Sequence, residues 1–194
     1  MLRKQDDKLR FRAKKKQTIS MRNLITLLIT LIVTSCSKES ENVSTLHNVS
    51  PSISGITMRD MNGNLIGTVD AFDWNANDLF PGVINSYFNF SDTLDYSGAD
   101  TSTLNLFCYP NPFQQLVSLY INSSNPTICK LILTDETNTI YIQQSYTLLN
   151  GANQLYFDLG DSSLHSNQLF RFYYKFYNEQ KECYASGHGD LEKM

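Results

Sequence analysis

The sequence predicts an all-β domain built as an antiparallel β-sandwich, and three observations lead there. From about residue 50 onward, apolar residues recur with a period of two rather than 3.6. Turn-forming residues punctuate these stretches at short intervals, the spacing of a sandwich of immunoglobulin-like type. Aromatic residues are dense, 22 of the 159 residues from Cys36 onward. The 194-residue length fits one such domain. With only 18% charged residues and 12% aromatics, wholesale disorder is excluded.

Along the chain, residues 1–35 read as a leader and signal peptide. Residues 1–22 hold nine of the sixteen basic residues against Asp6 and Asp7, and residues 23–35 carry no charge. The run Leu24 to Val33 is ten residues long. That is about half of what a membrane-spanning helix needs, but it fits the apolar region of a secretory signal. Met21-Arg22-Asn23 and this run would make a complete signal by themselves, so residues 1–20 read as an upstream extension. From Cys36 onward there are seven basic and seventeen acidic residues, a net charge of −10. That balance excludes nucleic acid as a partner of the mature chain. Residues 36–50, beginning Cys36-Ser37-Lys38-Glu39-Ser40-Glu41, are polar and aperiodic, as in a flexible tether. Residues 51–194 are expected to be the sandwich domain.

Val33-Thr34-Ser35-Cys36 closes the leader and resembles the lipobox of bacterial lipoproteins. The resemblance implies that the Cys36 thiol receives a diacylglyceryl group, that cleavage falls just before it, and that the new amino terminus is acylated. Two or more acyl chains hold a protein firmly to a membrane where one holds it marginally. The acidic residues just after Cys36 resemble the surface-export signal of Bacteroidetes lipoproteins. The implied location is the cell envelope, as an outer-membrane lipoprotein whose partner is the membrane itself.

Within the domain, residues 56–61 and 64–69 are expected to pair as a hairpin about Asn62-Gly63, which would supply a type I′ turn. Residues 70–103, rich in Asp, Asn and Ser, are the least regular stretch. Strands are expected at 104–109, 116–122, 127–134, 139–147, 153–159, 168–177 and 181–186, with no helical stripe. In 168–177, Phe170, Phe172, Tyr174 and Phe176 line a core face. Leu169, Arg171, Tyr173, Lys175 and Tyr177 line a partly wet one.

Leu106-Phe107-Cys108-Tyr109-Pro110-Asn111-Pro112-Phe113 resembles the opening of the C-terminal sorting domain of the type IX secretion system. The likeness continues through Lys130 to Asp135 and Leu149 to Leu159, over about 85 residues from 104. Physically, Pro110 and Pro112 lack an N–H and end the strand, while Asn111 suits the turn. The chain departs from the family at Asn167-Gln168-Leu169-Phe170 and at Gly187 to Met194. The resemblance therefore implies the sandwich fold, and sorting stands as an alternative function.

Other chemistry-bearing residues are sparse. Cys108, Cys129 and Cys183 fall on expected strands. An oxidising envelope allows one disulfide, with Cys129–Cys183 as the pair, against three small buried hydrophobes. Gly187-His188-Gly189-Asp190 has the residue types of a metal or catalytic site but reads as a mobile C-terminal turn. Asp73-Trp74-Asn75-Ala76-Asn77-Asp78 starts like a calcium loop, yet Asp78 and Ile84 stand where an EF-hand needs Gly and Glu; an irregular surface site is what remains. No nucleophile elbow, phosphate loop or zinc signature is present. The expectation is a lipid-anchored envelope protein, not an enzyme, serving as a structural or binding module without metal or cofactor. A protein or glycan partner would sit on an aromatic face. The alternatives are a substrate or accessory of a type IX-like secretion system, and an envelope hydrolase.

Overall fold

The computed structural model describes residues 47–48, 52–53, 55–161 and 164–194. The leader, Cys36 and the tether apart from His47–Asn48 lie outside the described residues. Those two residues form β1, which pairs in parallel with β2 (Asp78–Leu79). A six-residue helix, α1 (Gly82–Tyr87), follows Pro81. Among the described residues no helix is long and apolar enough to cross a membrane.

The remaining strands make two antiparallel sheets. β3 (Leu104–Tyr109), β4 (Leu116–Ser123) and β7 (Gly151–Asp158) lie in the order β3-β4-β7. β5 (Thr127–Asp135), β6 (Ile140–Leu148), β8 (Leu169–Tyr177) and β9 (Cys183–Glu192) lie in the order β6-β5-β8-β9. The described residues form an all-β sandwich of seven principal strands.

Period-two alternation explains the core. Leu106, Cys108, Val117, Leu119, Ile121 and Phe157 point inward from the smaller sheet. Cys129, Leu131, Leu133, Phe170, Phe172, Tyr174 and Phe176 meet them from the larger one. Each such large side chain contributes roughly 1.5–3 kcal/mol on burial.

The other face of β8 departs from expectation. Arg171 and Tyr173 are buried rather than half wet. Arg171 is held by Asp190 of β9, while the irregular stretch after β2 covers Tyr173 and its neighbours: Ile84 and Phe88 pack on Ile132 and Tyr173, and Tyr96 and Ala99 pack on Ile128. It also gathers the long cations of that face. Lys130 meets Asp92 at 2.8 Å and donates to the Phe90 carbonyl, while Lys175 donates to Asn85 Oδ1 at 2.7 Å.

β9 runs well past the expected end of its strand, through Gly187-His188-Gly189-Asp190 to Glu192. Those residues are therefore a buried strand and not a mobile turn. β9 is an edge strand, and residues 73–78 close its free edge. The Trp74 N–H donates to the His188 carbonyl at 2.7 Å, Asn77 bridges to Ser186, and Tyr174 Oη donates to the Asn75 carbonyl at 2.6 Å. An uncovered edge would offer unpaired backbone groups to other chains. The crossing is close because glycine faces it. A Cβ on Gly187 would lie 1.7 Å from the Asn75 carbonyl oxygen, and one on Gly189 would lie 2.3 Å from the Trp74 indole. Trp74 itself takes φ 61°, a left-handed conformation that non-glycine residues seldom adopt.

The first hairpin forms with a different tip. Arg59 bridges to Leu65, and Gly63 alone of the two expected turn residues has positive φ, at 81°. The Asp60 carboxylate accepts from the Asn62 and Asn64 N–H groups, and the Gly63 N–H donates to the Asp60 carbonyl. Asp60 thus organises a turn followed by one left-handed residue, one of the standard longer hairpin loops.

Candidate functional site

Two places gather chemistry-bearing residues. The first is buried, where residues 57–78 meet β9. Asp73 Oδ2 accepts from the Thr57 N–H at 2.8 Å, and Oδ1 accepts from the Asp190 N–H at 2.9 Å. Arg171 donates to both Asp190 oxygens, from Nε at 2.5 Å and from a terminal nitrogen at 2.6 Å. His188 Nδ1 stands 2.5 Å from Asp78 Oδ2. Burial, reinforced by the neighbouring Asp190 charge, pushes the Asp73 carboxyl up to about 7. Burial raises Asp190 as well, against the opposing pull of Arg171.

Asp73, His188 and Asp190 place ligand-type atoms within 4.8 Å of one another. What surrounds them is the bonding of a structural tie. Backbone N–H groups occupy both Asp73 oxygens, a bidentate guanidinium occupies both Asp190 oxygens, and Asp78 holds His188. Asp73 and Asp78 are buried, so the stretch expected to offer a surface calcium site is folded inward. Sequence reasoning missed this tie because Asp73 and Asp190 are 117 positions apart.

The Tyr109-Pro110-Asn111-Pro112 turn links this network to the surface. Both X-Pro bonds are cis. Asn111 is fully buried and acts as a three-way clamp. Its amide donates to the carbonyls of Thr57 and Asp190, each at 2.9 Å, and its oxygen accepts from the Glu192 N–H. Its backbone exchanges two hydrogen bonds with Arg59. One side chain therefore fastens the first hairpin and β9 to the end of β3.

The second place is exposed. The outer face of the small sheet carries Phe107, Tyr109, Tyr120 and Tyr156, the aromatic face expected of the sequence. Most of these rings are occupied by one another. Phe107 stacks on Tyr120 with centroids 4.7 Å apart, and the Arg59 guanidinium lies 4.4 Å above the Phe107 ring. Tyr109 Oη accepts from Gln154. Tyr156 alone of the four is mostly exposed. Where this face meets the hairpin, a groove of about 610 Å³ opens between Met58, Met61, Ile66, Pro110, Leu116 and Met194, with Arg59 on its wall. Met61, Ile66, Leu116 and Met194 are each more than half exposed. Sequence reasoning did not single these residues out; exposed apolar side chains within a hairpin look like strand alternation until the partner surface is known.

The remaining candidates are dispersed. Cys108 and Cys129 are buried free thiols and Cys183 is an exposed one. Burial pushes the Cys108 and Cys129 thiols up, leaving them unreactive. Cys129 is on β5 and Cys183 on β9, with β8 between them. Two strand spacings come to roughly 9–10 Å, beyond the reach of a disulfide, so this fold does not bring the expected pair together. His165 is exposed and apart from both sites.

The fold and these two places define a class: an all-β sandwich domain with a closed internal charged tie and an open apolar groove. No protein-family model matches the chain, and no match was found among curated proteins.

Proposed function

We propose that the chain is a lipid-anchored cell-envelope protein, held at Cys36, whose sandwich serves as a binding module. The observation that carries the binding reading is the contrast between the two places. Acid and base groups that could do chemistry are buried and bonded within the tie, while the exposed feature is an apolar groove bordered by three methionines, side chains that adapt to irregular partners. The anchor follows from the lipobox-like Val33-Thr34-Ser35-Cys36. Cys36→Ser should abolish metabolic lipid labelling and move the protein from the membrane to the soluble fraction. Labelling that persists in the variant would refute the anchor.

A second reading has one observation in its favour. The stretch resembling a type IX sorting domain, from residue 104 onward, coincides with all seven principal strands. Under that reading the sandwich is a secretion accessory or sorting module. Deleting residues 104–194 should then abolish surface display of a reporter fused to the remaining chain; unchanged display would sink it.

A further inference from the structure

The groove has an aliphatic lining and one cation on its wall. Met58, Met61, Ile66, Pro110, Leu116 and Met194 supply the lining, and Arg59 stands among them. No aromatic ring of the described residues borders it, so the stacking that holds planar rings has no platform there. The three methionines offer instead unbranched chains that adjust to an aliphatic shape. The volume, about 610 Å³, is that of a small-molecule pocket, for which roughly 300–1,000 Å³ is usual. Such pockets orient their ligands through a few polar groups set in an apolar wall.

Arg59 is the group that can orient a ligand here. The close ion pairs among the described residues join Lys130 to Asp92, Arg171 to Asp190 and His188 to Asp78, and none includes Arg59. Asp60, its neighbour in sequence and also on the lining, is turned into the hairpin tip, where it accepts from the Asn62 and Asn64 N–H groups and the Asn64 amide. One terminal nitrogen of Arg59 donates to the Gly63 carbonyl at 2.6 Å, which leaves the other without an acceptor. The guanidinium is fixed by that bond and by the Phe107 ring 4.4 Å beneath it. A guanidinium stays charged under all ordinary conditions, and its planar fork matches a carboxylate. A positioned cation that lacks an acid partner, set in an aliphatic wall, is complementary to a molecule with an aliphatic body and one carboxylate.

We propose that the groove binds an aliphatic carboxylate of the fatty-acid type, taken up from the surroundings, with its tail against Met58, Met61, Ile66, Leu116 and Met194 and its carboxylate on Arg59. This rests on the binding-module reading and names the ligand class. Binding supplies Arg59 with its anion and covers Met61, Ile66, Leu116 and Met194, each more than half exposed.

The experiment uses the full chain carrying Cys36→Ser, so that neither attached lipid nor detergent enters the assay. The probes are a fluorescent 16-carbon fatty acid and the 16-carbon alcohol with the same label. The acid should bind once per chain and about tenfold more tightly than the alcohol or better, the scale of one charged hydrogen bond. Arg59→Gln should erase that preference, the acid falling to the affinity of the alcohol. Ile66→Asp combined with Leu116→Asp should weaken both probes at least tenfold. Those two side chains are largely exposed, so circular dichroism and Tm should stay those of the parent. The comparison of acid with alcohol on the parent chain needs no variant to fold. Equal affinity for the two probes, lost in the double Asp variant, overturns the carboxylate assignment and leaves the groove as a binding site. Probe binding that ignores the double Asp variant, or no binding of either probe, overturns the assigned ligand together with the observation that carries the binding-module reading.

Discussion

Gly187→Ala is expected to cost the protein roughly 3 kcal/mol or more, at the upper end of what overpacked interiors show. The new methyl would fall 1.7 Å from the Asn75 carbonyl oxygen and 2.6 Å from the Tyr174 ring. The first obstacle is backbone, which cannot rotate away as a side chain can. Either residues 73–77 lift from the edge of β9, or β9 shifts against β8. The first loses the Trp74–His188 and Tyr174–Asn75 hydrogen bonds, and the second disturbs Arg171 and Asp190. Thermal unfolding should show Tm lowered by about 6–12 °C, at roughly 2–4 °C per kcal/mol for a chain of this size. Gly82→Ala is the matched control: nothing lies within 4 Å of its Cβ position, so Tm should stay close to that of the parent. A wild-type Tm for Gly187→Ala would mean that the edge of β9 is not closed by residues 73–77.

The second large effect is a loss of stability as the pH rises. Burial holds the folded Asp73 carboxyl up at about 7, against an ordinary value of 3.8. Below pH ~4 the group is protonated whether or not the chain is folded. Between that point and pH 7 the unfolded chain gives up its proton while the folded chain keeps it, so stability falls. Three units at about 1.36 kcal/mol each place the whole loss near 4 kcal/mol. It is complete once the pH has passed the folded value. Exposed carboxylates such as Asp60 and Asp95, whose own hydrogen bonds hold them below the usual range, act with the opposite sign and at lower pH. Urea unfolding between pH 4.5 and 7.5 should therefore show stability declining with pH. Asp73→Asn should flatten that decline by about one proton. It should also lower stability at acid pH, because an amide nitrogen cannot accept from an N–H, whereas both oxygens of the protonated acid can, so one of the N–H groups of Thr57 and Asp190 loses its acceptor. An unchanged slope in the variant would remove Asp73 as the cause.

How far the sequence could be read depended on the distance over which each feature is determined. The strands from Leu104 to Tyr177 were legible because period-two alternation is local, and their core face was legible with them. The second half of β9 was not. Gly187-His188-Gly189-Asp190 lacks the apolar alternation of a strand, since its two core-facing positions must be empty for Trp74 and Asn75 to cross. The burial of Tyr173 and Arg171 was not legible for a related reason: Tyr173 is covered from residues 80–90, which have no periodicity of their own, and Arg171 is held by the distant Asp190. Asn111 could be read as a turn residue. Its role as a clamp depends on Thr57 and Asp190, and neither lies nearby in sequence.

The tie between residues 57–78 and β9 also has a consequence in time. Its bonds join the beginning of the domain to its last strand, with sequence separations of 110 for Asp78 and His188 and 117 for Asp73 and Asp190. Contacts of such range form late, because closing long loops costs entropy before any bond repays it. A ribosome delivering this polypeptide from its amino terminus releases Asp73 long before Asp190 exists for it to hold. Until β9 emerges, the first hairpin can be held by Asn111 alone, and the tie through Asp73 and Asp78 stays open. The fold of this domain is therefore completed only when β9 is there to close it.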